Sequence, residues 1–148
     1  MPTILIRRIS AYLGPDILLG VFASTQEAER QRDAYFAMRT QTPASDPWHG
    51  QPYRPDGLQP SDLVVMNIQG SAIVPGAHVF VISRYSEGFG QTMREFISVH
   101  VDKAVAARQA ARREEADTDR FPNYFRVHEA IAGQLLPDDP DSQPAWYE

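Results

Sequence analysis

The histidines and carboxylates of this chain are the side chains that could carry out acid–base or metal chemistry. His100 and His128 lie in segments predicted to be strands, and Glu95 and Glu129 are close to them in the sequence. Imidazole and carboxylate groups together are typical ligands of zinc and related metals. No H-x-x-x-H or H-E-x-x-H spacing accompanies them. Strand histidines with local hydrogen bonds are the simpler interpretation, and we predict no metal site and no cofactor.

Other segments contain residue types found in phosphate-binding or catalytic sites. Residues Ser86-Glu-Gly-Phe-Gly90 include two glycines but lack both the G-x-G-x-x-G pattern and the lysine of a phosphate loop. A hairpin turn is therefore predicted there. Asp138 and Asp139 lie in a proline-flanked tail, where solvent would screen both carboxylates. No G-x-S-x-G motif occurs, so we predict no catalytic residues.

Aromatic and arginine side chains are concentrated in a proline-rich segment between residues 40 and 61. Its five prolines exclude a long helix or strand, because each removes a backbone donor and fixes φ. The segment contains residue types that dominate protein interfaces, and the prolines reduce the entropy cost of presenting them. Packing of the tryptophan over a sheet edge is the alternative. The predicted binding residues are Trp48, His49, Tyr53 and Arg54.

Residues 134–148 form an acidic, proline-rich tail that ends in aromatic residues. Its composition is otherwise typical of disorder. We predict that Trp146 and Tyr147 are binding residues, docked on the body of the protein or on a neighbouring chain. A solubilising tail whose aromatic side chains fill a groove is the alternative.

The elements that would position these residues follow the order strand, strand, helix, strand. Residues 3–9 and 16–23 have the apolar, β-branched pattern of strands. Ser24-Thr-Gln-Glu27 has the form of a capping box and predicts a helix from about residue 25 to residue 39. After the proline-rich segment, residues 63–68 are predicted to form a third strand.

The same order recurs after a connector at residues 70–76. Strands are predicted at 78–85, 91–101 and 124–131, with a helix that begins after an Asp102 N-cap and ends near residue 116.

We therefore predict an α+β fold of duplicated ββαβ units, with halves at 1–70 and 77–133 and the tail at 134–148. Together they would form one compact domain with a largely antiparallel sheet of about six strands and two main helices on one side. An α+β domain without a repeat is the alternative.

The strand-to-helix segment carries a resemblance to a known family. Residues Ile4-Leu-Ile6, Leu19-Gly-Val-Phe-Ala-Ser24 and Glu27-Ala-Glu29 follow a GVFsS-x-eeA pattern. This pattern resembles that of small bacterial and phage ββαβ domains without assigned function. The similarity is clearest over residues 4–30 and weaker over 79–109. It implies an accessory or mobile-element context and transfers no catalytic residues.

Composition excludes several classes of function. The 148 residues include no cysteine, which excludes disulfides, thiolate metal sites and cysteine nucleophiles. The 14 basic and 19 acidic residues give a net charge of −5, which disfavours sequence-independent binding to nucleic acid.

Apolar runs are far shorter than the ~20 residues of a membrane span. The N-terminal charges follow the apolar stretch, the reverse of a secretory signal. We expect a soluble cytoplasmic protein.

These observations favour a non-enzymatic protein-binding module. An immunity protein, an antitoxin or a phage counter-defence protein, which binds and blocks a partner protein, would fit them. The net negative charge favours a basic partner. The sequence leaves the oligomeric state open, and a homodimer is compatible with it.

Two other functions are weighed against this one. A nucleotide or single-stranded nucleic acid could bind in the cleft between the two halves, although the overall charge opposes it. An enzyme based on His100, His128 and Glu129 is the third hypothesis. The residues predicted to line the alternative cleft are Arg7, Arg8, Tyr12, Arg84 and Tyr85.

Overall fold

The structure, a computed structural model, describes residues 1–9, 14–40, 44–45, 52–53, 58–118 and 123–136. In these ranges the protein has an α+β fold with two helices and two mostly antiparallel sheets of three and four strands. The predicted α+β class is confirmed. The strands differ from the prediction because they are divided between two sheets and do not form one sheet of about six.

The first sheet has the order β2-β1-β5, with the central strand antiparallel to both neighbours. Two short strands, β3 and β4, pair with each other between the helix and β5. The elements are β1 (Thr3–Arg7), β2 (Ile17–Phe22), α1 (Thr25–Thr40), β3 (Ala44–Ser45), β4 (Pro52–Tyr53) and β5 (Leu63–Asn67).

The second sheet has the order β6-β8-β7-β9. Its central strands β7 and β8 form a long antiparallel hairpin, and β9 pairs antiparallel with β7. The chain enters this sheet directly after β5, where β6 pairs parallel with β8. The elements are β6 (Gln69–Gly70), β7 (His78–Gly88), β8 (Gln91–His100), α2 (Lys103–Ala116) and β9 (Tyr124–Ile131).

Three clusters of buried side chains show how the elements are layered. One cluster lies between the two sheets and joins Ile4 and Val21 of the first to Val81 and Val99 of the second. A second lies between the first sheet and α1, and a third lies between the second sheet and α2. The layers are therefore helix, sheet, sheet, helix. The two helices do not share one side as predicted, because the inner faces of both sheets are apolar and bury each other.

The strand pairing around the hairpin of the first sheet matches that around the hairpin of the second. In each, the first strand of a hairpin lies between its hairpin partner and a later strand. Ile4 pairs with Val21 and Val81 pairs with Val99, and the register of each hairpin shifts after the next residue pair. A bulge of this kind adds one residue to one strand and bends it. Both hairpins therefore bend at equivalent positions.

Both main helices begin at polar caps. The Asp102 carboxylate accepts hydrogen bonds from the amides of Ala104 and Val105 at 2.8 and 3.2 Å, which confirms the predicted N-cap. The Ser24 hydroxyl accepts from the amide of Glu27 at 3.2 Å. Among the described residues, the return bond of a full capping box is not formed. No helix in the described ranges is long and apolar enough to cross a membrane.

Candidate functional site

The β7–β8 hairpin ends in a tight turn. Gly88 pairs with Gln91, so Phe89 and Gly90 form a two-residue loop. Their φ angles are both positive, 54° and 75°. Two central residues with positive φ are the signature of a type I′ turn, whose twist matches that of the flanking strands. The hairpin turn predicted at residues 86–90 is thus confirmed.

Phe89 is an unusual occupant of this turn. Its side chain is 96% exposed, the highest value among the large apolar residues of the described chain. The left-handed conformation costs a residue with a Cβ roughly 1–2 kcal/mol, and Asn or Asp is the usual residue at this position. An exposed aromatic ring on a strained backbone neither packs the core nor favours the turn. Such outliers cluster at functional sites.

Side chains on β7 and β9 hold the base of the hairpin in place. The rings of Tyr85 and Tyr124 stack with centroids 5.1 Å apart and planes 8° from parallel. The Tyr124 hydroxyl donates to Glu87 Oε1 at 2.9 Å, and the Tyr85 hydroxyl lies 3.1 Å from His128 Nε2. The tip therefore projects from a base that is fixed by ring stacking and hydrogen bonds.

Arg94 of β8 connects the hairpin to the first sheet. Its guanidinium is buried and donates through Nε to the Ser83 hydroxyl and through Nη1 to the Asp16 carbonyl, both at 3.1 Å. The same group lies over the rings of Tyr85 and Phe96, at 5.3 and 4.5 Å from their centroids. These cation–π contacts and hydrogen bonds fix the orientation of the charge.

A cavity of about 300 Å³ opens beside Arg94, between the two sheets. One wall comes from Arg8, directly after β1, and Asp16, directly before β2. The other comes from β8, with Thr92 and Arg94. The cavity thus combines two guanidinium groups, one hydroxyl and one carboxylate with the apolar side chains of Ile9 and Met93.

The structure brings together only part of the predicted alternative cleft. Arg8 lines this cavity, and Tyr85 is buried beneath the guanidinium of Arg94. Strand alternation places Arg7 on the face of Leu5, which α1 covers. Arg84 lies on the α2 side of the second sheet and forms an ion pair with Glu95 at 2.9 Å. Tyr12 is outside the described residues.

The other predicted binding residues fall mostly outside the described ranges. Of the proline-rich segment, Tyr53 is described as backbone only, paired with Ala44. The remaining residues that lie outside are Trp48, His49, Arg54, Trp146 and Tyr147.

The histidines predicted as metal or catalytic candidates do not come together. Phe80 pairs with His100 and with Glu129, whereas Val81 pairs with His128. Neighbouring residues of a strand point to opposite faces, so the two histidines lie on opposite sides of the sheet. Glu129 Oε1 instead lies 2.8 Å from His78 Nδ1 and accepts a hydrogen bond from it. In the described ranges, no three histidine or carboxylate side chains form a metal-binding group.

Sequence reasoning missed Phe89 and Arg94. The position of Phe89 directly before a glycine in a two-residue loop was the sequence signal that could have identified it. Arg94 had none, because an alternating strand pattern does not tell which arginine will be buried.

No family model matches this chain, and neither the curated proteins nor the solved structures include a match to it. Function therefore has to be inferred from the chain's own residues.

Proposed function

We propose that this protein is a non-enzymatic module that binds another protein, with Phe89 as the anchor of the interface. The observation that carries the proposal is the position of Phe89. Its ring is 96% exposed at the tip of a hairpin, on a backbone conformation that disfavours phenylalanine. Aromatic anchors that enter a pocket on the partner account for much of the binding energy of many interfaces.

The geometry suits such an anchor. Complete burial of a phenylalanine side chain stabilises a complex by about 1.5–3 kcal/mol. A two-residue turn on a stacked, hydrogen-bonded base loses little conformational entropy when it binds. Met93, also largely exposed, lies on the same hairpin and adds apolar surface near the tip.

The charge of the protein supports a basic partner. The chain has a net charge of −5, and the exposed carboxylate of Glu87 lies two residues from the anchor. We therefore propose a partner with an apolar pocket and a basic rim. The narrower interpretation, an immunity protein, antitoxin or phage accessory protein that blocks its partner, draws support from this acidity and from the GVFsS-x-eeA resemblance.

Trp48, His49, Tyr53, Arg54 and the tail residues Trp146 and Tyr147 remain proposed as a second contact surface. Their support is compositional, since aromatic and arginine residues are enriched where interfaces are strongest.

The duplication of a ββαβ unit is also part of the proposal, with halves at residues 1–70 and 77–133. It is supported by the common strand order, by the equivalent bulges and by a polar cap after the second strand of each unit. Ala28 and Ala106, each four residues after the cap, are both fully buried. A duplicated scaffold would give the hairpin a stable platform.

Affinity capture from native lysate tests the binding function. The bait is compared as wild type, Phe89→Asn and Val74→Asn, the last as a control for an apolar residue that is 68% exposed in the connector. We expect one partner to be retained by wild type and Val74→Asn and to fall about tenfold or more with Phe89→Asn. Equal recovery with all three baits would contradict the role of Phe89.

A further inference from the structure

We infer that the cavity between the two sheets, beside Arg8 and Arg94, binds a small anion that carries a phosphate group. This inference does not depend on the proposed protein partner, because Phe89 does not line the cavity. Met93, from the apolar surface near the hairpin tip, lies at its rim.

The first argument is the fixed orientation of Arg94. Its side chain is only 7% exposed, and the Ser83 hydroxyl and the Asp16 carbonyl each hold one of its nitrogens at 3.1 Å. A guanidinium held in this way loses little rotamer entropy when it binds an anion. Its planar donors match the oxygens of a phosphate group.

The second argument is the composition of the rest of the lining. Arg8 is exposed directly after β1 and supplies a second guanidinium to the same cavity. Thr92 can donate a hydroxyl hydrogen bond. The Asp16 carboxylate also lines the cavity, but it accepts a hydrogen bond from the Ile9 amide at 3.2 Å. With two guanidiniums and one carboxylate, the lining favours an anion.

The volume of the cavity limits the size of the ligand. About 300 Å³ lies at the lower end of the range for small-molecule sites. Inorganic phosphate or a small phosphomonoester fits this space, whereas a strand of nucleic acid would need a groove with exposed stacking surfaces. Because the ring of Tyr85 is buried beneath Arg94, it offers no such surface.

Isothermal titration calorimetry on the full chain tests the inference with three probes: inorganic phosphate, adenosine monophosphate and a short single-stranded oligonucleotide. Wild type is compared with Arg8→Gln and with Arg7→Gln, which neutralises the adjacent arginine on the opposite face of the sheet. We expect Arg8→Gln to weaken phosphate binding by about tenfold or more, since hydrogen bonds to charged groups are among the stronger ones. Arg7→Gln should bind as wild type does.

The probes distinguish the sources of the phosphate group. Equal affinity for inorganic phosphate and adenosine monophosphate would support a phosphate-only site, and tighter binding of the nucleotide would support a nucleotide site. Binding of the oligonucleotide alone would overturn the inference. So would an absence of phosphate binding at millimolar concentration, or equal losses in Arg7→Gln and Arg8→Gln. Arg94→Lys, checked for folding by circular dichroism, should also weaken binding, because lysine lacks the planar fork.

Discussion

Phe89 and Gly90 share a left-handed backbone conformation, with φ angles of 54° and 75°, at the tip of the β7–β8 hairpin. Glycine adopts this conformation freely, but phenylalanine does not. Phe89→Asn should therefore raise the free energy of unfolding by about 0.5–1 kcal/mol, because asparagine tolerates the turn. Urea denaturation measures this change.

The control for that prediction is Phe89→Val. A β-branched residue is a poor fit at positive φ, so this variant should be less stable than wild type. A loss of stability in Phe89→Asn would show that the ring contributes to folding, against its assignment to binding.

A second prediction concerns the close approach at Gly20 in β2. A Cβ at this position would lie 2.8 Å from the ring of Phe22 and 3.1 Å from the Gln134 carbonyl oxygen. Phe22 is fully buried and cannot move aside easily. Gly20→Ala should therefore lower the free energy of unfolding by about 1–3 kcal/mol.

Gly88 provides the matched comparison for Gly20. It also lies in a strand, but a Cβ there would have no atom within 4 Å. Gly88→Ala should change stability by no more than about 0.5 kcal/mol. Similar effects of the two substitutions, measured by chemical denaturation, would contradict the packing described around Gly20.

A third prediction tests the proposed equivalence of the two units. Ala28 of α1 and Ala106 of α2 are both fully buried against their sheets. Ala28→Leu and Ala106→Leu should each destabilise the protein by about 1–3 kcal/mol through overpacking. Ala34→Leu, at an exposed position of α1, should change stability by less than about 0.5 kcal/mol. Thermal unfolding checks this prediction. If Ala28→Leu and Ala106→Leu lowered the unfolding midpoint by very different amounts, the proposed equivalence of the two units would be contradicted.

A fourth prediction concerns His100. Burial, and to a lesser extent the positive charge of Arg113, lower the pKa of His100 below its ordinary value of 6.5. The unfolded chain then binds a proton more readily than the folded one. The stabilising contribution of His100 is therefore present above pH 6.5 and is lost as the pH falls through the lowered pKa.

Nuclear magnetic resonance titration of the His100 ring checks this prediction, with a midpoint expected below 6.5. His100→Asn should also reduce the loss of stability between neutral and mildly acidic pH. A midpoint above 6.5 would show that a hydrogen bond to the charged ring outweighs burial.

Local structure was predictable from the sequence wherever a short-range signal specified it. The Asp102 cap and the final strand are where the pattern placed them, since capping and alternation depend on adjacent residues. Division into two sheets was not predictable. Ile4 and Leu5 are both apolar and fully buried, on opposite faces. When both faces of a strand are buried, periodicity does not indicate which layer covers which face.

The candidate site was only partly predictable. Arg7 and Arg8 were both assigned to one cleft, but adjacent strand residues point to opposite faces, and only Arg8 lines the cavity. The turn around Phe89 was recognised from its glycines. The function proposed for its ring depends on exposure and on the sign of φ, which composition does not supply.

Site-specific photo-cross-linking tests the central claim most directly. Phe89→benzoylphenylalanine keeps an aromatic ring at the hairpin tip and forms a covalent bond with whatever protein lies against it, and Val74→benzoylphenylalanine serves as the control. The account predicts that position 89, but not position 74, yields a discrete adduct between this chain and one other protein. Adducts at neither position, equal adducts at both, or only dimers of the chain itself would contradict it.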